Sequence, residues 1–217
     1  MRRLGYYINR KVRDYITREI KKREKIIVSK STLEWLLNLL THETIDINRY
    51  MNDCILNDYR LNLIEPTDVV LDIGAGAGLY SLLVSLVARK VYALEPILEP
   101  IYALNNPRIE ILPYAFGKNE KIKCNYWGKE VIRDGKSLAQ ILEEIPDITV
   151  VKCDCEGCEW NGFSDCNDFK SIRLLDIEYH LSNGIKPLKE LERRLRANKF
   201  SISIKSSGMV GMLYAEK

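Results

Sequence analysis

One stretch, Val69 to Ser81 (VVLDIGAGAGLYS), constrains this chain more than any other. It reads as a short buried strand, Val69 to Leu71, then Asp72, a glycine-rich turn, and an apolar helix from Leu79 to Ala88. A strand, turn and helix of this kind set backbone N–H groups at the carboxyl edge of a parallel sheet, where a polar ligand can lie against bare backbone. Gly74, Ala75, Gly76 and Gly78 are the expected cradle.

The spacing narrows the ligand. Gly74, Gly76 and Gly78 fall as G-x-G-x-G, whereas a dinucleotide site has its third glycine one residue later. Asp72 just before the turn repels a pyrophosphate and suits a cationic amino group. A second strand, VYALEP, brings Glu95 to its end, where a carboxylate can accept hydrogen bonds from both hydroxyls of a ribose. S-adenosylmethionine carries an ammonium, a sulfonium and a ribose diol, and is the expected cofactor. A purely structural turn would explain the glycines but not the two carboxylates around them.

The rest of the chain can be placed around that core. Its 217 residues suffice for one α/β domain with an appendage. Residues 1–64 are expected to be a helical extension or lid and residues 65–217 the ligand-binding domain. From Leu4 to about Val28, Leu4, Ile8, Val12, Ile16 and Ile20 share one helical face and Arg10, Arg13, Arg18, Lys21 and Lys25 the other. Residues 1–30 hold eleven Lys or Arg against three Asp or Glu, a local +8 that leaves −5 for the rest of a chain whose net charge is +3. Such a face is either a solvated surface or a contact for nucleic acid or an acidic membrane. Ser31 and Glu34 form a capping box for a second helix, and a third spans about Asp46 to Leu63. No apolar run is long enough for a membrane helix and the basic start lacks signal-peptide features, so a cytoplasmic location is expected. Six cysteines in this setting are expected to be reduced thiols.

After Glu95, a third strand around Ile109 and Ile111 runs to Tyr114, and the loop Tyr114 to Gly117 would sit beside an adenine, with Ala115 and Phe116 offering backbone N–H groups and apolar surface. Residues 120–134 form a strand or hairpin, Ser137 caps a helix that Pro146 ends, and two buried strands follow, ITVVKCDCEGCEW and SIRLLDIEYH. A last helix, Pro187 to Asn198, precedes two strands joined by a short turn at Gly208, which must be antiparallel.

The segment KCDCEGCE places Lys152, Asp154, Glu156 and Glu159 at the end of a buried strand, where charge is costly without partners or a task. Here the sequence resembles the FkbM family of S-adenosylmethionine-dependent methyltransferases. The resemblance rests on Asp72-Ile73-Gly74-Ala75, Glu95, Ser137-Leu138, Lys152-x-Asp154-x-Glu156-Gly157-x-Glu159 and Glu178-Tyr179-His180, and covers about residues 68 to 181. Gly76 stands where that family often has Asn, and Cys153, Cys155 and Cys158 stand where it has Ile, Val and a small residue. Those cysteines read as small buried hydrophobes and not as metal ligands, because no second C-x-x-C accompanies them.

The resemblance implies a Rossmann-like α/β class I methyltransferase fold, a mostly parallel seven-stranded sheet closed by an antiparallel hairpin. It also implies transfer of a methyl group to a hydroxyl of a small molecule or sugar. A hydroxyl acceptor must lose a proton, for which His180, Glu156 and Asp154 at neighbouring strand ends are the candidates. Two other readings stay open: an RNA methyltransferase with residues 1–30 as its nucleic-acid arm, and a noncatalytic binding partner that keeps the fold.

Overall fold

The computed structural model describes residues 58–76, 78–98, 106–118, 120–126, 129–169, 171–206 and 208–217. The helices expected before residue 58, with the basic face of residues 1–30, lie outside the described residues. The chain divides into two units, Met1–Leu61 and Asn62–Lys217; the second holds the sheet.

That unit is built on seven strands in the order β3-β2-β1-β7-β8-β10-β9. They are β1 (Val69–Ile73), β2 (Lys90–Leu94), β3 (Ile109–Leu112), β7 (Val150–Cys153), β8 (Leu174–His180), β9 (Ser201–Ser206) and β10 (Val210–Glu216). A second, three-stranded sheet, β4-β6-β5, comprises β4 (Ala115–Phe116), β5 (Lys121–Tyr126) and β6 (Lys129–Lys136). The helices are α1 (Leu79–Ser85), α2 (Leu138–Glu144), α3 (Glu159–Gly162) and α4 (Lys186–Ala197).

β1 pairs in parallel with β2 and β7, β2 with β3, and β7 with β8. A strand covered on both faces must be apolar almost throughout, and all five residues of β1 are buried. β10 runs antiparallel to both β8 and β9, as the short Gly208 connection requires. α4 buries Leu188, Leu191 and Leu195, spaced three and four apart, together with Arg194, whose Nη1 donates to Phe163 O and Cys166 O. Ser137 caps α2 in a complete capping box with Gln140.

Several boundaries differ from the sequence reading. β3 stops at Leu112, because Pro113 has no N–H to continue a ladder. α1 ends at Ser85 and α4 begins at Lys186. Glu159 and Trp160, read as the tail of a strand, open a turn of helix that runs to Gly162. Gly162 is required there, since a Cβ would overlap the Phe116 ring.

At the amino edge of the sheet, Asp68 locks three strand starts together. Arg173 donates Nε to Asp68 Oδ1 (2.9 Å) and Nη2 to Oδ2 (2.5 Å), and Thr149 Oγ1 donates to Oδ1 (2.8 Å). Burial pushes the Asp68 carboxyl up, but these bonds and the Glu65 N–H outweigh it and hold the group below its usual value.

Candidate functional site

At the opposite, carboxyl edge, the ends of β1, β2, β7 and β8 gather the charged residues singled out from the sequence. The glycine turn leaves β1 at Ile73. Gly74, at φ 70°, is held by neighbouring backbone: a Cβ there would overlap the Asp154 carbonyl. Gly76, at φ 56°, has nothing within 4 Å of the position a Cβ would take. Of the two glycines, Gly74 lets the β1 and β7 ends approach each other, and Gly76 leaves open space for a ligand. Gly78, at φ 80°, starts α1.

The expectation of free amides in this turn is corrected. Gly74 and Ala75 both donate N–H to Leu94 O (3.0 and 3.2 Å), Gly76 donates to Glu95 Oε2 (2.8 Å) and Gly78 to Ala75 O (2.8 Å). These amides pin the turn to the end of β2. Glu95, only 7% exposed, also accepts from Ile97 N–H through Oε1 (2.8 Å). Burial pushes its carboxyl up, opposed by the two backbone bonds. Each carboxylate oxygen has a second lone pair, so Glu95 is oriented by backbone and still able to accept from a ligand's hydroxyls. Close by, Arg133 of β6 donates Nε to Pro96 O (2.9 Å), bringing the β5–β6 hairpin beside this strand end.

Asp72 lies beneath the glycine turn. It is fully buried, accepts from Ser81 Oγ (2.6 Å) through Oδ2, and its Oδ1 lies 3.1 Å from Lys152 Nζ. Asp72 and Lys152 are neighbours in the β1–β7 register, and Lys152 also donates to Gly74 O (2.9 Å). The pair is thus an internal strut beneath the glycine turn.

Phe116 lies further inside. Its ring is buried in the core, edge-on to Phe163 with centroids 5.2 Å apart, and Ala115 beside it is also buried. The pair belongs to β4, in parallel register with β6, so the Phe116 side chain offers no face to a ligand.

The second cluster centres on His180, the last residue of β8. Its backbone N–H donates to Glu159 Oε1 (2.6 Å), and Nδ1 lies 3.4 Å from the same oxygen. On the other side of the ring, Nε2 lies 3.4 Å from Glu156 Oε2 and 3.7 Å from Glu178 Oε1. Trp160 Nε1 donates to His180 O (2.6 Å). Glu159 is fully buried, and its Oε2 accepts the Gly157 N–H (2.9 Å). Burial pushes its carboxyl up, against these hydrogen bonds and the facing imidazole. Glu178 is pushed up to about 7, first by burial and then by the negative charge of Asp154.

Asp154 itself sits just past β7, its N–H bonded to Ile73 O (3.0 Å). The alternation expected to align Lys152, Asp154 and Glu156 ends with the strand at Cys153; Lys152 turns inward to Asp72, and Glu156 occupies a turn at φ 55°. His180 and Glu156 do come together, and Glu159 and Glu178 join them without having been proposed as site residues. Both lie in the motifs that carried the family resemblance, which was the signal available.

The cysteine expectation is partly overturned. Cys155 and Cys158 form a disulfide, while Cys124, Cys153 and Cys166 are free thiols. Residues three apart across a tight turn bring their sulfurs within bonding reach, here with Cα atoms 5.5 Å apart.

Six strands running in one direction, a reversed β10 and the order 3-2-1-4-5-7-6 for the strands of the main sheet define a Rossmann-like class I methyltransferase fold. Among solved structures, the chain is similar to precorrin-6y C5,15-methyltransferase from Geobacter metallireducens (12% identity, TM-score 0.46, covering 90% of this chain and 95% of that one). It is similar also to an rRNA methylase from Streptococcus thermophilus (10%, TM-score 0.47, 72% and 90%). A third likeness is to TrmK of M. capricolum in complex with S-adenosylhomocysteine (16%, TM-score 0.44, 73% and 68%). Likenesses of this depth carry no argument by themselves, and the strand order alone defines the fold. No family model matches the chain, and no curated protein matches it in sequence.

Proposed function

We propose that the protein is an S-adenosylmethionine-dependent methyltransferase that methylates a hydroxyl of a small molecule or sugar, as its resemblance to the FkbM family implies. The observation that carries the reading is the pairing of an open Gly76 with a buried, backbone-oriented Glu95 at the ends of adjacent strands. Glu95 would hold the ribose hydroxyls with its remaining lone pairs, and the Gly76 Cα face would admit the nucleoside. The Asp72–Lys152 strut, with Ser81, holds the turn in shape without adding net charge. The cofactor, when bound, supplies an electrophilic methyl group on a sulfonium.

The chain's own contribution is to place and deprotonate the acceptor. Holding an acceptor oxygen in line can contribute about 7–11 kcal/mol. His180 Nε2, flanked by Glu156 and Glu178, is placed to take the hydroxyl proton, and Glu159 Oε1 on the Nδ1 side stabilises the imidazolium that results. Glu159 acts through the histidine and is a positioning residue. Glu156, exposed at the mouth of the cluster, is placed to hold the acceptor hydroxyl.

His180→Ala is expected to lower turnover by about 10²–10⁴-fold while cofactor affinity measured by calorimetry stays unchanged. An equal loss of cofactor binding would remove the histidine from catalysis.

A further inference from the structure

The turn Cys155-Glu156-Gly157-Cys158 connects β7 to α3 and carries the one acidic side chain of the His180 cluster that is exposed, Glu156, with its side chain 64% accessible. Glu156 is one of two non-glycine residues at positive φ among those described, at 55°, and Gly157 follows at 100°. A non-glycine left-handed residue is held by its surroundings, because the conformation costs about 1–2 kcal/mol. Three links restrain this turn: the Cys155–Cys158 disulfide, which closes it, the Cys158 N–H to Cys155 O bond (3.3 Å) across the same four residues, and the Gly157 N–H to Glu159 Oε2 bond. Both cysteines are half-buried, within reach of a small thiol, while the neighbouring Cys153 is sealed in the core. Cys153 Sγ lies 3.7 Å from Cys155 Sγ, yet burial pushes its thiol well above the usual range, so it does not supply the thiolate that disulfide shuffling needs.

We propose that Cys155 and Cys158 form a reversible thiol–disulfide couple that sets whether Glu156 is held at His180. The reductant it takes is a small or protein-borne dithiol. A thiolate of that dithiol attacks Cys158 Sγ, the S–S bond breaks, and its electron pair leaves on Cys155 Sγ, which takes a proton from solvent. The second thiol of the reductant then releases Cys158, which is protonated in turn, and the reductant leaves as a disulfide. Two electrons and two protons are transferred. Without the covalent link the turn is held by its two hydrogen bonds alone, and Glu156 relaxes from the left-handed region, withdrawing its carboxylate from Nε2. As regulation of the acceptor end, this rests on the proposed function; as a couple that moves a loop, it does not.

The test uses the full chain, equilibrated with dithiothreitol or with its oxidised form. Iodoacetamide labelling of the folded protein followed by mass spectrometry is expected to modify Cys155 and Cys158 only in the reduced sample, and Cys153 in neither. Hydrogen exchange of the Gly157 amide is expected to be about tenfold or more faster in the reduced protein, and in Cys158→Ser under either condition. Labelling of both cysteines after oxidation, or equal exchange rates in the two forms, would overturn the proposal. Calorimetry with S-adenosylmethionine on both samples separates the two readings: binding by neither form would defeat the proposed function and leave the couple to be judged by labelling and exchange.

Discussion

The two edges of the main sheet use the same kinds of residues to opposite ends. At the amino edge, Asp68 meets Arg173 in a two-point pair reinforced by Thr149, and its carboxyl is held low. At the carboxyl edge, Glu95, Glu159 and Glu178 are all pushed up, burial being the first cause in each. A carboxylate matched by a guanidinium is part of the frame. Carboxylates raised by burial, with the buried Lys152 paired to Asp72 at 3.1 Å, hold protons more readily than free ones, at the cost of stability.

The largest difference between the edges should appear on truncation at the frame. Asp68→Ala leaves Arg173, 31% exposed, without its two-point partner and is expected to destabilise the fold by about 2 kcal/mol, read from the denaturant midpoint, without a separate effect on ligand affinity once the variant is folded. If it weakened ligand binding in proportion while leaving the midpoint in place, the division between the edges would fail.

A smaller effect distinguishes the edges by sign. Asp68, held low, contributes stability that is present above its ordinary value of 3.8 and is lost as pH falls through the native value. Glu178, raised from 4.5 to about 7, makes the native state bind the extra proton across that interval. Its contribution is therefore greatest below 4.5 and is lost as pH rises through 7. Glu178→Gln should consequently raise the denaturant midpoint at pH 8 relative to pH 5.5, by about 1 kcal/mol after allowance for screening. An identical difference at both pH values would mean that Glu178 ionises normally.

Much of this was readable from the sequence, for specific reasons. The run VVLDI and the glycine spacing announce a doubly covered strand feeding a helix, and the short Gly208 link forces β10 to reverse. Ser137 announces the start of α2. What escaped the sequence was the partner of each polar group. Asp72 reads as a ligand carboxylate until the β1–β7 register sets Lys152 beside it. Phe116 reads as an adenine platform until Gly162 opens a place for its ring. Free amides in the glycine turn looked available because the path of β2 past them is a tertiary fact, and the Cys155–Cys158 bond depends on a turn whose tightness the spacing alone does not fix. The basic face of residues 1–30 remains a sequence expectation, and so does any anionic partner for it.

Calorimetric titration of S-adenosylmethionine into the intact chain and into Glu95→Gln addresses the carboxyl edge most directly. The expected result is saturable binding at a single site, weakened about tenfold or more in the variant, which at 1.4 kcal/mol per tenfold corresponds to the loss of a well-placed hydrogen bond to a charged group. No binding by the intact chain, or equal affinity in the two proteins, would contradict the assignment of Gly76 and Glu95 as the nucleoside cradle.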